Sequence, residues 1–138
     1  MVQADVLLPG IAVEATAMAL TAPISFWGGV NPKTAEIADP RHPEYGRCIT
    51  GCVLLIPATI GSSSAAAILL ELVHAGLAPA AVVLHEPDAI LLLGLIVARE
   101  MGQPTPIALQ LDARHFAALH GQWVCISDSG AIECAASG

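Results

Sequence analysis

The apolar run Val53-Leu54-Leu55-Ile56-Pro57 turns through Gly61-Ser62-Ser63-Ser64 into an apolar, helix-forming segment, Ala65 to His74. A strand that passes through glycine into a helix start presents free backbone N–H groups, a positive helix end and exposed hydroxyls at one point. Such a corner can bind a carboxylate or phosphate, and it lowers the cost of forming a serine alkoxide. Serine is also a preferred N-cap, so three in a row offer the helix a choice of caps. Read alone, the tetrapeptide favours capping.

The same strand-to-helix rhythm continues downstream. Gly51 to Pro57 reads as a buried strand and Ser64 to His74 as a helix stopped by Gly76. Ala80 to Leu84 reads as a strand, and Asp88 caps a second helix that runs to about Met101 and closes at Gly102. Pro106 to Leu109 is a strand, His115 to Leu119 a helical turn, and Trp123–Ser127 with Ala131–Cys134 a hairpin about Asp128-Ser129-Gly130. Upstream, Val6–Leu8, Ala12–Val13 and Met18–Leu20 read as short strands, and Ile24–Trp27 as another that ends at Gly28-Gly29. Val30 to Arg47 reads as an 18-residue polar, proline-rich loop, a length that usually marks function. Strands first, then βαβαβ, then a hairpin predict an α/β fold: a mixed sheet or split barrel with two main helices on one side.

At 138 residues the chain is expected to be a single domain spanning 1–138. Only 12% of residues are charged against 55% apolar, where about a quarter charged is usual, so part of the surface is expected to be covered by another subunit. Net charge is −7 with five basic residues, Lys33, Arg41, Arg47, Arg99 and Arg114, which argues against nucleic acid as a ligand. The N-terminus shows no signal-peptide pattern, and the longest uncharged apolar run, Ala89 to Ala98, falls short of the roughly 20 residues that cross a bilayer. The expectation is a cytoplasmic protein with no membrane contact. Cys48, Cys52, Cys125 and Cys134 include no C-x-x-C pair, so they are expected to be free thiols that bind no metal on this chain alone.

Several blocks together carry a family resemblance. They are Pro23-Ile-Ser-Phe-Trp-Gly-Gly-Val-Asn-Pro-Lys-Thr34, Asp39-Pro-Arg-His-Pro-Glu-Tyr-Gly46, Gly61-Ser-Ser-Ser64, Ala78-Pro-Ala-Ala-Val-Val83 and Glu86-Pro-Asp88. In this order, over roughly residues 5 to 135, they resemble the swivelling small domain of aconitase X. The resemblance implies the β/β/α swivelling fold of the aconitase superfamily and a hydro-lyase that is active only with a large subunit. That larger partner would carry an iron–sulfur cluster on its own cysteines. The small domain would close over a small anionic substrate and supply a catalytic serine. Family members dehydrate cis-3-hydroxy-L-proline or mevalonate 5-phosphate.

The resemblance implies Ser62, the first serine after the glycine, as the base, with Gly61, Ser63 and Ser64 beside the substrate. A hydroxyl is a very weak base unless dipoles or neighbouring donors activate it, and the start of the following helix can supply part of that. The chain also departs from the pattern. Many relatives carry Arg directly before the glycine, where this chain has Ile60, and Ala65-Ala66-Ala67 stands where Gly and Ser are frequent. Arg41 has two readings of equal weight: a bidentate anchor for a substrate carboxylate, or a partner of Asp39 or Glu44 that shapes the loop. His42 reads as a packing or hydrogen-bonding residue of that loop, and Trp27 with its glycines as a turn against a partner or the mouth of the site. His85-Glu86-Pro87-Asp88 reads mainly as capping. The composition looks mesophilic, which favours cis-3-hydroxy-L-proline as substrate. Mevalonate 5-phosphate dehydration and a non-catalytic assembly domain of the same fold are the alternatives.

Overall fold

The structure, a computed structural model, describes residues 1–61 and 64–135. Its strands are β1 (Val2–Gln3), β2 (Asp5–Leu8), β3 (Val13–Ala19), β4 (Val53–Ile56), β5 (Ala81–Leu84), β6 (Ile107–Gln110), β7 (Trp123–Ile126) and β8 (Ala131–Cys134). Its helices are the short α1 (Phe26–Gly29), then α2 (Ser64–His74), α3 (Ala89–Glu100) and α4 (Phe116–Leu119), the last preceded by a 3-10 turn at Ala113–His115.

All eight strands join one sheet in the order β1-β8-β7-β3-β4-β5-β6-β2. The middle, β3 to β6, is parallel, as its helical crossovers require, and the flanks are antiparallel. β4 and β5 are buried at every position, so they read as unbroken apolar runs rather than as alternating ones. Their side chains still divide by face. Leu54, Ile56, Val82 and Leu84 pack beneath α2 and α3 with Leu69, Leu72, Leu91 and Leu95. Val53, Leu55, Ala81 and Val83 point the other way, into a second core with Ile107, Leu109, Phe116, Val124 and Ile132.

The two ends of the sheet are held by one stretch of chain. β1 pairs with β8 at Val2↔Ile132, and β2 pairs with β6 at Val6↔Leu109, with only Ala4 between them. Ala4 itself donates its N–H to the Gly130 carbonyl at 2.9 Å. The N-terminal segment thereby bridges both edges and nearly closes the sheet into a barrel around the second core. Gly130 suits this seam: its φ is +89°, and a Cβ there would lie 2.6 Å from the Ala4 carbonyl oxygen.

Two expected elements differ. The two strands expected at Ala12–Val13 and Met18–Leu20 are one seven-residue strand, Val13–Ala19, because Glu14 and Thr16 are its outward-facing residues rather than a break. Ile24–Trp27 is not a strand. Ile24 makes one parallel bridge to Thr59, and the chain then coils into α1, kinked where Gly28 takes φ +80°. The Val30–Arg47 segment lacks long elements but is folded: bridges Val30↔Ile37 and Glu36↔Cys48 cross it, and Ala35 and Ile37 are buried.

Candidate active site

The segment that leads into the serine-rich corner is fixed from two sides. On one, Ile24 donates its N–H to the Ala58 carbonyl at 3.1 Å, and Ile60 donates to the Ile24 carbonyl at 2.9 Å. On the other, the Thr59 hydroxyl donates to Asp88 Oδ2 at 2.6 Å. Asp88 is the N-cap of α3, its Oδ1 accepting from the N–H groups of Ile90 and Leu91 at 3.0 and 3.1 Å. One carboxylate therefore both starts a helix and anchors the approach to Gly61. Its capping role follows from the sequence, but the Thr59 contact does not, since 29 residues separate the pair.

Ser64 is the first residue of α2, half-buried, and Gly61 is exposed. Ser62 and Ser63 lie outside the described residues.

Next to Gly61, a cleft of about 430 Å³ is lined by Ser25, Trp27, Asp39, Arg41, His42 and Ile60, among others. Three blocks far apart in sequence thus share one cavity: the Phe-Trp-Gly-Gly turn, the Asp-Pro-Arg-His-Pro loop and the approach to the serines. The Ser25 hydroxyl donates to the Trp27 carbonyl at 2.9 Å and steadies the turn. Trp27, 60% exposed, also borders a neighbouring cavity of about 600 Å³ that contains Asn31 and Lys33. Lys33 lines this second cavity as Arg41 lines the first, although the sequence blocks do not single it out as a binding residue.

The loop keeps its shape without recruiting the Arg41 side chain. The Glu44 carboxylate accepts from the Thr21 N–H at 2.6 Å and from the Thr21 hydroxyl at 2.9 Å. His42 is buried, with Nδ1 accepting from the Glu44 N–H and Nε2 facing the Ala22 carbonyl at 3.2 Å. Asp39 Oδ1 accepts the Arg41 backbone N–H at 2.9 Å, and this bond above all holds its carboxyl below the usual range. The Arg41 guanidinium is 93% exposed and reaches Asp39 only at 3.6 Å, a weak surface pair. Glu44 is committed to Thr21, so of the two partners expected for Arg41 only Asp39 is engaged. Arg41 thus remains available to an anion entering the cleft.

His85 does not cap α3. Its Nδ1 accepts from the Ala113 N–H at 2.9 Å and its carbonyl from the Gln110 side chain at 3.1 Å, which ties β5 to the turn before α4. Among the described residues, no group of three or more His, Cys, Asp or Glu side chains is placed to hold a metal ion. Burial pushes the Cys52 thiol up to about 12, and its hydrogen bond to the Ile49 carbonyl keeps it a donor. None of the helices described is long and apolar enough to cross a membrane.

Comparison with known proteins gives four findings. The family model described as the aconitase X swivel domain matches residues 1–134. The chain is 50% identical over 101 residues to a cis-3-hydroxy-L-proline dehydratase of Pseudomonas aeruginosa, covering 71% of this chain but only 17% of that protein. It is 40% identical over 85 residues to a phosphomevalonate dehydratase small subunit of Methanopyrus kandleri, covering 62% of this chain and 63% of the other. Its fold superposes on the crystal structure of Thermococcus kodakaraensis aconitase X with a TM-score of 0.83 at 23% identity, covering 99% of this chain and all of the other.

Proposed function

This chain belongs to the aconitase X swivel domain family, and from that premise we propose that it is the swivelling part of a dehydratase that acts on cis-3-hydroxy-L-proline. Residues 1–138 act as one unit that closes over the substrate from one side, and a larger aconitase X chain completes the site in the cytoplasm. The observation that carries the reading is the cleft, whose lining joins Arg41, held only by a weak surface pair with Asp39, to Ile60, the residue before Gly61. Arg41 takes the substrate carboxylate, while Gly61, Ser63 and Ser64 lie along its flank.

Ser62 is the base. It accepts the proton from the substrate carbon as the C–H bond breaks, the pair forms the C=C bond, and hydroxide leaves the adjacent carbon. The first turn of α2 favours the negative charge that such a serine carries. The latches from Ile24 and Thr59–Asp88 hold the approach to this serine, so little reordering is left for the closed state.

The four cysteines do not suit an iron–sulfur cluster on this chain. They do not gather: among the described residues no three His, Cys, Asp or Glu side chains are placed to hold a metal ion, whereas a cluster needs its thiolate ligands together. The cluster belongs to the larger chain in this reading, and no step above passes through it.

Identity of 50% to the hydroxyproline enzyme against 40% to a phosphomevalonate subunit favours the amino acid substrate. Mevalonate 5-phosphate is the second reading, favoured by one feature: Lys33 borders the cavity next to Arg41, placed for a distal phosphate. The test is turnover of the assembled enzyme on the two compounds. Turnover of cis-3-hydroxy-L-proline with none of mevalonate 5-phosphate is the expected result, and the reverse would overturn the substrate assignment.

A further inference from the structure

We propose that the outer face of α3 is the surface on which the larger chain of the dehydratase seats, through an apolar groove of its own. This rests on the reading above that a larger chain completes the site. From Ala89 to Ala98 the helix has no polar side chain at all. Ile90, Leu93, Ile96, Val97 and Met101 remain 38–60% exposed. Positions 90, 93, 97 and 101 follow helical spacing, so the exposed side chains form one stripe along the helix. A helix that is apolar all round is built to be covered on both sides, and the sheet covers only the side of Leu91, Leu95 and Ala98.

The stripe begins where the cleft ends. Asp88, at the head of α3, bonds Thr59, and the next residue, Ile60, is a 61% exposed wall of the cleft. A body that closes the cleft from this side continues directly onto Ile90 and Leu93. A second copy of this chain seated on α3 would set two identical clefts against each other and complete neither. An anionic membrane surface is disfavoured because the stripe carries only Arg99 as a basic neighbour and the chain carries net charge −7. Stable association needs about 800 Å² on each side, so the stripe serves as the apolar centre and the cleft margin at Ile60 and Trp27 as its extension.

The test uses this chain and the larger aconitase X chain of the same organism, purified separately and titrated by calorimetry. Leu93→Glu and Ile90→Gln place polar groups at solvent-exposed positions, so the chain alone should melt as the wild type does. Leu93→Glu should weaken the complex by roughly 30-fold or more, as loss of a central anchor does, and Ile90→Gln by less. Ala67→Glu, on the outer face of α2, should leave affinity unchanged. Wild-type binding that Leu93→Glu leaves intact overturns the docking face while the larger-partner reading stands. No complex between the wild-type chains at micromolar concentration overturns both. Two further results would also overturn the proposal: a Leu93-dependent homodimer that still binds the larger chain elsewhere, or Leu93-dependent binding to phosphatidylserine vesicles.

Discussion

α2 and α3 lie side by side on the same face of the sheet, yet they are made differently at both their starts and their outer faces. α3 begins with a carboxylate: Asp88 occupies the N–H groups of Ile90 and Leu91 and bonds Thr59 as well. α2 begins with hydroxyls in sequence, Ser62 to Ser64, and has no acidic residue in its first turn. A carboxylate at a helix start already satisfies the positive end and leaves it closed to other anions. A hydroxyl can satisfy the same groups and still take part in chemistry. Outside, α2 presents Glu71 and His74 to water, whereas α3 presents Ile90, Leu93, Val97 and Met101. On the readings proposed above, one helix serves a substrate at its head and the other a protein along its length.

The largest effect that could break this contrast is at the head of α2. Ser62→Ala in the assembled enzyme should lower kcat on cis-3-hydroxy-L-proline on the order of 10²–10⁴-fold with an unchanged melting temperature. Ser64 begins α2 and is proposed to touch the substrate rather than the proton, so Ser64→Ala should raise KM more than it lowers kcat, with little change in melting temperature. If Ser62→Ala turned over normally, α2 would begin with a mere cap, as α3 does, and the assembly-domain alternative would stand.

The second test is the seam between the helices. A Cβ at Gly94 of α3 would lie 2.5 Å from the Ala66 carbonyl oxygen of α2. Gly94→Val should therefore destabilise by about 1–3 kcal/mol, read from chemical denaturation, although valine is a better helix former than glycine. An unchanged midpoint would mean that the helices do not approach so closely.

A third variant, Asp88→Ala, removes the cap of α3 and the acceptor of Thr59 together. The expected loss is about 1–2 kcal/mol, and Asp88→Asn, which keeps a carbonyl oxygen for the Ile90 and Leu91 N–H groups and turns an NH2 towards the Thr59 hydroxyl, should lose less. Equal losses would show that the charge of Asp88, rather than its geometry, does the capping.

The smallest effect sharpens what a lone cap contributes. Asp112 caps the turn before α4, and the Arg114 N–H that it accepts at 2.9 Å is the main reason its carboxyl lies below its ordinary range. A depressed folded-state value stabilises above the unfolded carboxyl range, near pH 4, and that contribution disappears as acid carries the pH below the folded value. Asp112→Asn should flatten the acid limb of a stability–pH curve slightly, and an unaltered limb would show that the exposed bond contributes nothing measurable.

Where structure depends on neighbours in sequence, the residues predicted it well. Asp88 and the stops at Gly76 (φ +74°) and Gly102 (φ +78°) set the bounds of α2 and α3 within a residue or two. The hairpin about Asp128-Ser129-Gly130 is where local turn chemistry puts it. What the sequence concealed depends on distant partners. β3 looked like two short strands because Glu14 and Thr16 face outward from a barrel wall, a fact that exists only once β7 lies beside them. Ile24-Ser25-Phe26-Trp27 has a strand's composition, but its only sheet-like pairing among the described residues is with Thr59, and Gly28 turns it away. At the site, the motif blocks marked Arg41 and the serines, but nothing in them disclosed that Glu44 would engage Thr21 and leave Arg41 with Asp39 alone, or that Thr59 and Asp88 would join.

The bridging of both sheet edges by Val2–Leu8 has a consequence for the order of events on the ribosome. β1 must wait for β8 and β2 for β6, since Val2 pairs with Ile132 and Val6 with Leu109. Until residues 131–134 emerge, the nascent sheet has an open seam whose unpaired N–H and C=O groups can recruit another chain. Pairings this distant in sequence form slowly. A chain interrupted between β6 and β8 would thus be left unclosed and aggregation-prone even though both helices and their core were already in place.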